Sequence, residues 1–230
     1  GYEEAAAQGL NAGINAARGV RRESAVTLGR DQAYIGILVD DLTTRGCLEP
    51  YRMFTSRAEH RLLLRVDNAD FRLTPIARTT GLVDDERWAR FEARRARHLE
   101  NQTRLSRAHV FVSGQKLPAN QALRRTDVTL QTIREVVEFA PGTTTLDLAS
   151  LETEFKYAGY LRRQETQVLR ARKQETLTIP DAFEYAGIAG LSREVVERLS
   201  QVRPATLGQA SRIPGITPAA VAIVAARLGR

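Results

Sequence analysis

Gly81-Leu82-Val83-Asp84-Asp85-Glu86-Arg87-Trp88-Ala89-Arg90-Phe91 opens the stretch that decides the fold class. Gly81–Asp84 reads as a turn feeding a capped helix from Asp85 to about Arg107. Arg87, Arg90, Arg94, Arg97 and Arg104 recur at three-or-four spacing on it, with Asn101 filling the gap. Residues so spaced share a helix face. Trp88 and Phe91 lie beside this stripe and are expected to bury. Glu86–Arg90 and Glu100–Arg104 are i,i+4 pairs of the favourable polarity. A solvated helix face and a rail for a nucleic-acid backbone are both compatible with such a stripe.

Helical spacing continues on either side. Upstream, Glu49-Pro50-Tyr51-Arg52-Met53-Phe54-Thr55 is an extended lead-in, because Pro50 disfavours helix at Glu49. Ser56-Arg57-Ala58-Glu59 has the form of a capping box, so a helix is expected from Ser56 to about Arg65. It would place Arg57, Arg61 and Arg65 on one face. A phosphate, or the carboxylates Glu59, Asp67 and Asp70, would relieve their repulsion, and residue types do not choose between the two. Asp31–Leu42 has an apolar centre that fits a buried strand or a short helix. Asp40-Asp41 invites a metal or acid–base reading, but adjacent residues diverge and a helix-end role suits them better. Tyr2–Ala17 reads as a small-residue helix with acidic residues in its first turn. Gly9 and Gly13 on it suit tight packing, or direct ligand contact.

Downstream, residues 108–145 are weakly patterned: Val110–Val112 suggests a strand and Asp127–Glu138 a helix. Leu148–Glu175 is a strong helix candidate in which Gly159 marks a close contact or a bend. Residues 188–199 and 213–224 then repeat one another. Ile188-Ala189-Gly190-Leu191-Ser192 matches Ile213-Pro214-Gly215-Ile216-Thr217, 25 positions later. Ser192 and Thr217 are natural N-caps, and Pro218 suits the first helical position. Such hairpins resemble the helix–hairpin–helix of DNA-binding proteins, whose glycine turn offers backbone N–H groups to phosphate. The simpler reading is a tight turn between helices. The last helix, Ala219–Leu228, is apolar nearly all round. Arg212, Arg227 and Arg230 stand at its ends. This favours a partner-covered or core face.

Composition bounds the function. The chain has 230 residues, 43% hydrophobic and 27% charged, as in an ordinary soluble globular protein. No apolar run reaches the roughly 18–20 residues of a membrane helix. A single cysteine, Cys47, excludes an internal disulfide and a multi-cysteine zinc site. His60, His98 and His109 lack metal-ligand spacing. No GxGxxG or Walker-type loop is present. Of 34 basic residues only Lys116, Lys156 and Lys173 are lysines. Residues 51–134 carry 17 basic and 9 acidic side chains, while the flanking parts are nearly balanced. The excess marks a localised polyanion-facing surface.

Six segments then occur in order: GYEEAAAQGLNAGINAA, DQAYIGILVDDLTTRG, EPYRMFTSRAEHRLLLRVDNADFRLT, GLVDDERWARF, YAGYLRRQ and TLGQASRIPGITPAAVAIV. Together they resemble the C-terminal part of the MnmG (GidA) family of tRNA wobble-uridine modification flavoproteins. The resemblance runs from Gly1 to about Leu228, with a variable patch near 108–145. It implies a cytoplasmic parent enzyme, homodimeric, that binds FAD and NADH in preceding domains. With the GTPase MnmE and a folate one-carbon unit, that parent installs a carboxymethylaminomethyl or aminomethyl group on the wobble uridine.

The resemblance also implies roles for parts of this chain. Residues 1–20 would be the closing helix of the FAD domain, with Gln8 at a FAD-contact position. Residues 21–145 would be a basic, tRNA-facing helical region carrying Arg52, Arg57, Arg61 and Arg65. Residues 146–230 would be a helical domain docking MnmE through Ala219, Ala222, Ile223 and Ala226. No catalytic residue and no metal ligand is expected, and the chain is not expected to act or to hold a cofactor alone. Two features depart from the family pattern. His60 stands where tyrosine is usual, and Cys47 does not inherit the role of the family's redox cysteines. The architecture expected is mainly α, ending in a small helical bundle. The different-class alternative is a stand-alone nucleic-acid-binding protein with tandem helix–hairpin–helix units.

Overall fold

The computed structural model of the chain describes residues 1–46 and 50–229; the side chains of Arg170 and Gln174 are outside that description. Cys47, Glu49 and Arg230, on which the thiol, lead-in and terminal-charge readings fall, lie outside the described residues. The chain is mainly α, with 58% helix and 4% strand, as the helical periodicities predict. It divides into two compact units, residues 61–164 and residues 1–60 with 165–230.

The unit of residues 61–164 is built on α3 (Ala69–Thr79) and the long α4 (Asp85–Arg107). Asp84 caps α4 by accepting from Arg87 N, as the sequence turn predicts. Phe91 is buried, and Trp88 lies half-buried against it with ring centroids 5.2 Å apart. After α4 the chain forms a hairpin of β1 (His109–Val112) and β2 (Gln115–Pro118), paired antiparallel. Short helices α5 (Ala119–Ala122) and α6 (Leu130–Ile133) follow, then α7 (Thr145–Lys156). The core gathers Leu105, Val110, Leu123, Leu130, Ile133 and Leu151. The single helix expected over Leu148–Glu175 is two: α7 ends at Lys156 with Tyr157 as its cap, and α8 (Ala158–Glu175) starts at once. The break sits at Tyr157, not at Gly159. Thr144 and Asp147 form a capping box that fixes the start of α7 three residues before Leu148. Residues 127–138 are helical only over α6.

The other unit contains α1 (Tyr2–Val20), α2 (Tyr34–Thr44), the C-terminal part of α8, α9 (Arg193–Val202), α10 (Leu207–Arg212) and α11 (Pro218–Leu228). The apolar centre of residues 31–42 resolves as helix, beginning at Tyr34 after a turn over residues 31–32. Gly36 of α2 crosses the backbone of Leu28 and Gly29, and a Cβ there would overlap both carbonyl oxygens. Only glycine permits that approach. No residue of α1 is buried, and added Cβ atoms at Gly9 and Gly13 meet nothing within 4 Å. Neither glycine is therefore explained by packing among the described residues.

The repeat is realised in three dimensions. Ser192 Oγ accepts from Val195 N, and Thr217 Oγ1 from Ala220 N. Val195 and Leu199 of α9 are buried, as are Ala220 and Val224, the residues 25 positions on. Gly190 and Gly215 both have positive φ, 92° and 87°. Each turn is covered by the other repeat. Ile223 Cδ1 lies 2.9 Å from a Cβ built on Gly190, and Arg198 Cζ 3.0 Å from one on Gly215. Arg198 and Ile223 are themselves 25 apart, so the covering is reciprocal.

Candidate functional site

The segment Pro50–Arg57 carries part of the expected RNA-facing set. It is irregular, with Phe54 N donating to Arg52 O at 3.1 Å, and ends in one 3-10 turn, Thr55–Arg57. The helix expected over 56–65 is absent, and Arg57, Arg61 and Arg65 share no helical face. The reason is competition for backbone carbonyls. Arg30 Nη2 donates to Arg57 O at 3.1 Å, Arg65 Nη1 to Leu62 O at 2.7 Å, Asn68 Nδ2 to Leu63 O at 3.1 Å and Arg72 Nη2 to Arg65 O at 3.0 Å. These side chains take acceptors that helix N–H groups would use.

The expected arginines fall into two states. Arg52 and Arg61 are exposed. Arg57 is half-buried, lying 4.7 Å over the Tyr51 ring and 3.6 Å from Asp41. Arg65 is held by Asp67 at 3.0 Å and by Leu62 O. The long stripe on α4 is also partly internal. Arg94 pairs with Asp70 and with fully buried Asp147, and donates to Asp67 O and Ser150 Oγ. Arg97 reaches the second Asp147 oxygen at 3.4 Å. Burial works against the charge of Asp147, but bonds from Thr144, Arg94 and Arg97 hold its pKa below the usual carboxylate range. Asn101, the gap in the stripe, is wholly buried; it donates to Thr143 Oγ1 and accepts from Ala140 N. Arg87 and Arg90 stay exposed.

Around α2 an ionic hub links distant parts of the other unit. Arg30 pairs with Asp40 at 2.9 Å, Asp41 at 2.7 Å and Glu59 at 2.8 Å. Arg212 pairs with Asp40 at 2.7 Å and with Glu175. Tyr51 Oη donates to Asp41 Oδ2 at 2.8 Å. Burial alone would lower the pKa of Arg30 and Arg212, yet their carboxylate partners raise both. Asp41 is lowered against its burial by Arg30 and Tyr51. Asp40 and Asp41 are thus anchors for arginine in the last turns of α2. Beside the hub lies a cavity of about 680 Å³ bordered by Arg30, Gln32, Asp40, His60, Arg172 and Arg212. Among the described residues no group of three or more His, Cys, Asp or Glu is placed to hold a metal.

At the C-terminus, α11 buries Ala220, Val221 and Val224, leaves Ile223 half-buried, and exposes Ala219, Ala222 and Ala226. Gln8 is exposed on α1.

Comparison with known proteins identifies what carries these features. Residues 85–165 match the family model for the tRNA modifying enzyme MnmG/GidA C-terminal helical domain. Residues 167–229 match the model for the MnmG/GidA C-terminal helical bundle. A similar curated relative is the tRNA uridine 5-carboxymethylaminomethyl modification enzyme MnmG of Syntrophotalea carbinolica. It is 48% identical over 243 aligned residues, covering all of this chain and 39% of the relative. The chain belongs to the MnmG/GidA family. Two crystal forms of Aquifex aeolicus GidA, form II and form I, match the whole chain at 36% identity, with TM-scores of 0.87 and 0.84. The chain covers 38% and 37% of those chains, so it spans well under half the length of the MnmG/GidA relatives it matches.

Within this MnmG/GidA region, sequence reasoning missed the hub and the Asp147 centre. Arg212 lies 172 positions from Asp40, and Arg94 lies 53 from Asp147. No periodicity links such pairs. The available signal was the apposed Asp40-Asp41, which needed cationic partners once buried.

Proposed function

We propose that this chain is the C-terminal helical portion of a tRNA uridine modification enzyme, supplying surfaces for tRNA and for the MnmE partner. The observation that carries the reading is 48% identity across the whole chain to the enzyme of that name. The basic surplus of residues 51–134 supports an RNA partner. Arg52 and Arg61, exposed and outside any ion pair among the described residues, are the members of the expected set free to meet phosphate. Arg57 supports the segment through Tyr51 and Asp41, and Arg65 is held by its own unit.

The exposed small-residue face of α11, with Ile223 at its margin, is the docking surface for MnmE in this reading. FAD and NADH supply the redox chemistry of the complete protein. Gln8, exposed on α1 and unbonded among the described residues, suits a single polar contact to FAD. No GxGxxG or Walker-type loop occurs in the sequence.

The test uses the complete protein that carries this sequence. Arg52→Gln with Arg61→Gln should weaken tRNA binding and flatten its salt dependence, by about 0.7–0.9 in log–log slope per lost phosphate contact. Ala222→Glu should abolish MnmE association and leave tRNA affinity unchanged. Wild-type affinity and slope in the arginine variant would refute the tRNA surface, and retained MnmE binding would refute the docking face.

A further inference from the structure

Tyr157 and Tyr160 form an exposed aromatic pair at the junction of α7 and α8. Their ring centroids are 6.5 Å apart at an interplanar angle of 56°, and the residues are 43% and 60% exposed. Neither hydroxyl has a hydrogen-bond partner among the described residues. Packing among the described residues leaves both large rings in water at the helix junction. Between them lies Gly159, where an added Cβ meets nothing within 4 Å. Its backbone is ordinary helix, so neither strain nor crowding in this chain requires glycine. The position leaves bare main chain beside both rings.

The stretch that bears the pair carries cations, and Glu165 follows it directly. Lys156–Gln164 contains three cations and no carboxylate. The carboxylates of α7 nearest to it are already engaged. Glu152 holds Lys156 at 2.7 Å and accepts from Leu130 N, and Glu154 binds His98 and Gln102. Arg163, three residues after Tyr160 and so on the same side of α8, is exposed and makes no ion pair among the described residues. The apolar area is the two rings with half-buried Leu161, four residues after Tyr157, beside them, and Arg163 adds a cation at its edge.

We propose that Tyr157 and Tyr160 are a stacking platform for unpaired bases of the RNA substrate, with Arg163 taking an adjoining phosphate. Aromatic faces beside a free cation are what single-stranded RNA recognition requires. Paired bases keep their faces covered, whereas loop nucleotides offer them. The proposal rests on the tRNA reading above and adds a site that lies outside the arginine set of residues 52–65.

The test uses the complete protein, a tRNA transcript, and a blunt RNA duplex of equal length, with affinities measured at several salt concentrations. Tyr157→Ala with Tyr160→Ala should weaken tRNA binding roughly 5- to 100-fold and leave duplex binding unchanged. Tyr157→Phe with Tyr160→Phe should keep wild-type affinity, because stacking needs the ring and not the hydroxyl. Arg163→Gln should lower the salt slope by about 0.7, whereas the alanine pair should not. Since both rings are exposed, the melting temperature should not move, which separates lost contact from lost fold. Equal tRNA affinity in wild type and alanine pair overturns the platform. So does loss of MnmE association with tRNA binding intact, which would make the rings a protein contact. If the wild-type protein binds tRNA no better than duplex, it is the tRNA reading itself that fails.

Discussion

Replacing Asp147 with alanine should destabilise the unit of residues 61–164 selectively. Its carboxylate is fully buried and does three jobs. It accepts from Thr144 N at 2.9 Å as half of the α7 capping box, from Arg94 Nε at 3.0 Å, and from Arg97 Nε at 3.4 Å. Loss of the box costs about 1 kcal/mol. Loss of the charge-assisted bond to Arg94, itself largely buried, costs a further ~1.5–3 kcal/mol. Arg94 keeps Asp70, Asp67 O and Ser150, so the larger penalty of a stranded charge is avoided. The sum is about 2.5–4 kcal/mol.

The protein's one tryptophan, Trp88, sits in this unit against Phe91. Tryptophan fluorescence during urea unfolding therefore follows this unit alone. Asp147→Asn should fall between, keeping an acceptor for Thr144 N but losing the charge. The acid dependence has a definite sign. The folded Asp147 pKa lies below its unfolded value near 3.8, so its contribution is complete above that value. It is lost as pH falls through the depressed folded value, and the gap between wild type and Asp147→Asn should close there. A loss below ~1 kcal/mol for Asp147→Ala, or a gap that persists in acid, would refute the assignment of Asp147 as an ionised hub.

The other unit and the helix junction give three further tests, each read by thermal unfolding. Gly36→Ala should destabilise by ~3 kcal/mol or more, because the added methyl meets main-chain carbonyl oxygens that cannot move aside; a change under ~1 kcal/mol would contradict the close crossing. Gly190→Ala should cost ~1–3 kcal/mol from its positive φ and the Ile223 methyl, and Ile223→Ala in the same chain should recover part of it; strict additivity would refute the reciprocal cover. Gly159→Ala should stabilise by about 0.4–1 kcal/mol, since its Cβ enters open space in a helix, and a loss of stability would show unseen crowding.

The helices legible in the sequence are those whose signals are local. Asp84, Ser192 and Thr217 cap the helices their spacing predicts, and Pro218 begins α11. The capping box at Ser56 was equally local and failed, because Arg30, Arg65, Asn68 and Arg72 capture carbonyls over residues 57–65. Three of those four donors lie within ten residues, but a pattern of apolar spacing does not register side-chain capture of backbone. The α4 stripe illustrates the same limit. Arg87 and Arg90 face solvent as an amphipathic reading expects, while Arg94 and Arg97 turn to Asp147, which the sequence places 53 and 50 residues away. Charge spacing located the face and could not tell which cations were already spent.

The 25-residue repeat carries the last consequence. In a helix–hairpin–helix, the glycine turn serves phosphate because its N–H groups face outward. Here Arg198 donates to Pro214 O and lies on the Gly215 turn, while Ile223 closes the Gly190 turn. Two copies of one motif have thus become each other's cover, and the glycines serve close packing between repeats. The positions that matter are consequently a pair offset by eight from each glycine, Arg198 and Ile223, and these differ in chemistry. Ile223 seals by apolar contact and has one side left for the face formed by Ala219, Ala222 and Ala226. Arg198 is also held by Glu194 at 2.7 Å, so its charge is compensated before any anion arrives. Within the repeat, the exposed apolar surface left over is the outer face of α11, and the repeat's internal symmetry is broken at the side chains that cover its turns.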